Sequence, residues 1–217
     1  MSSPSRESRE RKSRSEDRLR AENVLINDTL PCIEDELEAR VPSKDDVVDR
    51  AIALMAVAGK GEGAPAKTLE RFAREFDAAA KLSPEESAFL QLPSSTDQDR
   101  ARFSWRYEAL YPVLWALGFF EALPPPADSI DPAKLGGVLL SRGAKRFRAE
   151  ARLRSPCEIL DEADLIYRYH WATRNAQLHG QQSPAHLNND VIMERHQALN
   201  WLIGCGELDW DDVSTDT

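Results

Sequence analysis

The 217-residue sequence is short of several things, and each shortage excludes a class. Its three cysteines, Cys32, Cys157 and Cys205, are widely spaced and odd in number, which supplies neither a disulfide framework nor the paired spacing of a zinc ribbon. A cytoplasmic location is expected from that usage. No apolar run approaches the ~20 residues of a spanning helix, and the first thirty residues hold no apolar signal-peptide core, so neither membrane insertion nor secretion is expected. A basic surplus is missing too. With 28 Lys and Arg against 37 Asp and Glu, the net charge of −9 argues against a nucleic-acid partner, because phosphate binding draws its affinity from cations.

Catalytic signatures are equally scarce. GKGEG at 59–63 has Leu54 where a phosphate-cradling loop needs glycine, and no Ser or Thr follows Lys60. No GxSxG, HExxH, CxxC or GxGxxG occurs. Asp209-x-Asp211-Asp212 starts like a calcium loop, but Val213 and Ser214 stand where a ligand and the turn glycine belong, and no distal Glu follows. No cofactor and no metal are expected.

What is present is charge-rich and helical in pattern. The head, residues 1–20, carries seven basic and four acidic side chains, six serines and almost nothing apolar. Such a segment cannot offset its ordering entropy by apolar burial, so residues 1–14 are expected to form a disordered arm. Ser15 opens the first helix on this reading, and VLINDTLPCI is an extended connector. Ser43 with Asp46 forms a capping-box start for a helix whose Val47, Ala51, Leu54 and Ala58 share a face. KTLERFAREFDAAAKL places Leu69, Phe72, Phe76 and Ala79 on one stripe. Ser83-Pro84, Asp131-Pro132 and Ser155-Pro156 repeat a cap followed by proline at the first helical position. The aromatic segment after Thr96 holds the expected core helix, with Leu110, Leu114, Leu117 and Trp115. Its Pro112 predicts a kink or a break near Glu108 to Tyr111. Gly180 and Gly204 close the last two long helices. The sum is an all-α class: one compact bundle of seven or eight helices over residues 15–217, ending in an acidic tail.

Those last two helices carry the one polar constellation. Asp164, Tyr167, His170, Trp171 and Arg174 recur at helical spacing on the first, and His196 lies between Ile192 and Leu199 on the second, flanked by Glu194 and Asn200. The nine-residue loop makes the helices antiparallel neighbours and puts the two imidazoles at similar levels, roughly 13 Å and 9 Å from the turn. Two readings stay open. In one, His170, His196 and Glu194 are acid/base groups of a pocket, with Arg174 binding an anion, Tyr167 beside it and Asp164 or Glu194 orienting a ring. In the other, the same residues form a buried hydrogen-bonded network that sets the helix register. Arg106 and Glu108 admit a binding role or ion pairs at the rim of the core. Trp210, amid five acids that include Glu207, is either an anchor for a basic partner or folded back on its own domain.

The strings WRYEAL, LWALG, LDEADLIYRYHWATRNA, ERHQALNWLIG and DWDDVSTDT occur together and in order. In this the chain resembles the bacterial family catalogued as domain of unknown function 4272, over roughly residues 18–217. The resemblance implies that Trp105, Arg106, Glu108, Asp164, His170, Arg174, Glu194, Arg195, His196, Asn200 and Trp201 are motif positions; it implies no activity, substrate or cofactor. The expected function is that of a non-catalytic accessory protein with a protein partner. The alternative is small-molecule or anion binding, or hydrolysis, at a His170/His196/Arg174 pocket.

Overall fold

The computed structural model describes residues 4–204 and 209–217. Cys205, Glu207 and the first three residues of the head lie outside them. In chain order the helices are α1 (Arg6–Ala21), α2 (Lys44–Gly61), α3 (Ala66–Phe76), α4 (Pro84–Gln91), α5 (Asp97–Ser104), α6 (Arg106–Ala116), α7 (Pro132–Leu140), α8 (Gly143–Glu150), α9 (Pro156–Leu178) and α10 (Asn189–Leu202). No strand occurs among the described residues, and no helix there is long and apolar enough to cross a membrane.

Four starts use one device. Ser43, Ser83, Thr96 and Ser155 accept a bond from the N–H three residues on, and Asp46, Glu86, Asp99 and Glu158 accept one from the cap's own N–H. The reciprocal box satisfies donors that a helix start leaves bare. Pro84, Pro132 and Pro156 occupy first-turn positions, where their missing N–H costs nothing.

α6 is the axle, with all eleven of its residues buried. α10 packs on both α6 and α9, α2 covers α5 and α6, and α1 lies along α9. Leu110, Leu114, Leu117 and Trp115 sit in the main core with Val47, Ala51, Leu54 and Ala58 of α2, as their spacing predicts. Gly61 lets α2 approach α5 closely, since a Cβ there would lie 2.4 Å from the Ser104 backbone nitrogen.

Three expectations are corrected. The head is not an arm through residue 14, for α1 begins at Arg6, capped by Ser5. Ion pairs one turn apart hold it, Arg6–Glu10, Arg11–Glu7 and Lys12–Glu16, and Arg11 is 1% exposed, bonded to Asp161 of α9 and to the Glu34 carbonyl. Charged pairing and a long aliphatic stem do here what apolar residues usually do. Second, Pro112 lies within an unbroken α6, and the break falls upstream at Trp105. Third, the α3 stripe stops at Asp77, whose left-handed backbone (φ 49°) re-aims the chain so that Ala78 rather than Ala79 is buried.

Candidate functional site

His170 on α9 and His196 on α10 meet as expected. Their Nδ1 atoms lie 2.9 Å apart and the rings are edge to face, with centroids 5.1 Å apart. One Nδ1 must carry a proton and the other must be bare, a condition that two charged rings cannot meet and that two neutral rings of opposite tautomer do. Burial enforces that state. It lowers His170 to about 4, helped by the Arg174 cation, and His196 to about 3, helped by His170. The rings are 4% and 2% exposed, and the other polar candidates are directed elsewhere.

Arg174 is exposed and donates to Gln177 at 3.0 Å. Asp164 orients no imidazole; it takes a fork of two bonds from Arg168, at 2.9 and 2.7 Å, and Arg168 also reaches the Pro31 carbonyl. That pair, 0% and 1% exposed, ties the Leu-Pro connector to α9. Tyr167 is half-buried, its ring 6.0 Å from that of His196. Trp171 lines a small recess together with Arg168 and Leu19, while Trp201 meets Trp210 edge-on rather than Trp171.

The charged residues of α6 and α10 cross-pair. Arg195 gives Nε and Nη2 to one oxygen of Glu108, at 3.1 and 3.0 Å, while the Ile130 N–H donates to the other oxygen. Arg106 Nη1 contacts both oxygens of Glu194 at 3.1 and 2.9 Å and Gln197 at 2.6 Å. Burial raises the Glu194 carboxyl and Arg106 opposes the shift. These pairs are buried inside the core, not at its rim. Neutralising one member of such a pair leaves the other charged without a partner.

Trp210 is folded back and 3% exposed, so the partner-anchor reading of this residue is corrected. Its ring lies 4.6 Å from the Arg50 guanidinium and 5.9 Å from that of Arg106. Arg50 is also paired with Glu86. Two further tail residues are fastened as well. Asp211 accepts from Ser83 Oγ and the Glu85 N–H at the start of α4, and Asn200 donates to the Ser214 carbonyl at 2.9 Å. Asp211 is thus spent on a helix start. Among the described residues no three metal-ligating side chains converge.

The family model described as "Domain of unknown function (DUF4272)" matches residues 11–213. The chain belongs to the DUF4272 family. No curated protein and no solved structure matches it. The DUF4272 match begins inside α1 and ends just past the Trp210 turn, so it takes in most of α1 and the folded-back Trp210.

Sequence reading missed four participants. Arg168 was legible, since it follows Asp164 by one helical turn. Arg50 and Glu86 were not, because 36 residues separate them and only the fold joins them. Glu162, half-buried in the α1–α9 cleft, was passed over because nothing in its spacing distinguishes it from the other acids of α9.

Proposed function

We propose that this is a non-catalytic cytoplasmic accessory protein that works by binding a basic protein partner. The observation that carries the reading is where the polar motif residues are spent. Glu108, Asp164, Glu194 and Arg195 are consumed by internal ion pairs and the two histidines by each other, which supports a scaffolding role for the motifs. The acidic surplus, 37 against 28, is left to the surface. Acidic surfaces speed encounter with basic partners and discourage nucleic acid. The hydrolytic alternative is not favoured by a histidine pair that faces itself and an arginine that faces solvent.

The test is co-purification of the tagged protein from native lysate at rising salt. It is compared with Asp209→Asn/Asp212→Asn, which discharges exposed tail residues while keeping Trp210. A partner that is basic, salt-sensitive and weakened by the double variant is the expected result. Identical retention by both proteins, or turnover of a hydrolysable substrate that is lost in His196→Asn, would sink the proposal.

A further inference from the structure

An open cleft of about 130 Å³ lies between α1 and α9 and continues into a slot of about 20 Å³ bounded by Pro124, Pro125 and Pro126. Arg18, Glu162 and Leu165 line both. The charges of this wall are paired, with one exception. Arg11 is held by Asp161 and Glu7, Arg14 bonds Asp161 at 2.6 Å, and Arg18 bonds Glu22 at 3.1 Å. At the slot, Arg195 is committed to Glu108, and the Tyr169 hydroxyl to Glu22.

Glu162 forms no hydrogen bond and no ion pair with any described residue. Burial raises its carboxyl, a shift that Arg18, Arg154 and Arg195 oppose and Asp161 reinforces. Glu162 is half-buried and its oxygens still reach water, yet a partly desolvated carboxylate without a protein donor gains from a cation seated on it. The neighbouring guanidinium groups are engaged by other acids, so a cation that pairs with Glu162 has to come from outside the chain. The space sets its size: the cleft has room for several non-hydrogen atoms, and the slot for little more than a methyl group.

We propose that the α1–α9 cleft binds a small primary alkylammonium ion, its nitrogen on Glu162 and its carbon chain laid along Leu165 toward the Pro124–Pro126 slot. The inference is independent of the partner reading above. It uses a different surface and needs no macromolecule.

The test is a titration of the full chain with n-butylammonium chloride, followed by amide and carboxyl NMR. Expected are saturable shifts confined to α1, α9 and the proline loop, and a fall in the Glu162 pKa on binding. Glu162→Gln should bind about tenfold more weakly or worse, as loss of a charged hydrogen bond requires, with no loss of melting temperature. Should that variant fold poorly, Glu162→Asp, which draws the carboxylate back by one methylene, serves the same comparison. Sodium butyrate and Nα-acetyl-lysine methylamide are the controls, and both should bind more weakly than butylammonium. Failure to saturate by about 20 mM, an unchanged affinity in the Glu162 variants, or tighter binding of butyrate would overturn the proposal. Tighter binding of the lysine amide would overturn the free-amine ligand in favour of a protein side chain.

Discussion

His170 and His196 share one proton across 2.9 Å between their Nδ1 atoms, inside the α9–α10 interface. The contact is a hydrogen bond when both rings are neutral and a repulsion when both are charged. It makes the helix pair an acid-sensitive joint.

Both rings titrate lower in the fold, at about 4 and about 3, than their ordinary value of 6.5. The unfolded chain therefore takes up protons first as the pH falls. The stabilisation is complete above about pH 6.5 and is lost as the pH drops toward 4, by roughly 3 kcal/mol or more. Thermal unfolding from pH 8 to pH 4 should show that decline. His196→Asn, which retains a hydrogen-bonding group but not the titration, should flatten it. An equal slope in both proteins would assign the acid sensitivity to other groups.

Glu108→Gln should destabilise the fold by about 3 kcal/mol, because Arg195 then stays charged and buried beside a neutral amide. Denaturant unfolding measures the loss. Adding Arg195→Met to the variant should recover part of it, giving a coupling of more than about 1 kcal/mol between the two sites. Strict additivity would mean that the two side chains do not act as a pair.

Removing residues 1–14 should cost stability, since Arg11 bridges α1 to Asp161 and the Glu34 carbonyl from a 1% exposed position. Arg11→Ala alone should lower the unfolding free energy by about 2 kcal/mol. A shortened chain that melts with the full one would show that the head is dispensable for the fold.

Trp210→Ala opens a hole between Arg50 and Arg106 and should cost about 3 kcal/mol, read in the same unfolding assay. It should also expose the tail to proteolysis, because Asp211 and Ser214 are held beside it. Arg174→Ala, at an exposed position, should change stability by less than about 0.5 kcal/mol while letting the His170 pKa rise.

The amino-acid sequence by itself determined where helices start and which face turns inward. Ser43, Ser83 and Ser155 act on backbone groups within three residues, and the Val47 to Ala58 stripe follows from helical geometry alone. Such interactions are local, so spacing contains them. The His170–His196 meeting was legible for a related reason, because a short loop folds two periodic helices against each other. Tertiary structure alone decided the fate of the charges. Arg106 takes Glu194 across 88 residues, Arg195 takes Glu108 across 87, and Arg11 takes Asp161 across 150. Each of those side chains had several oppositely charged candidates in the sequence. Burial chose among them, because a charge taken out of water is tolerated only beside the partner that the fold places within bonding distance. The same selection left Glu162 without a partner among the described residues.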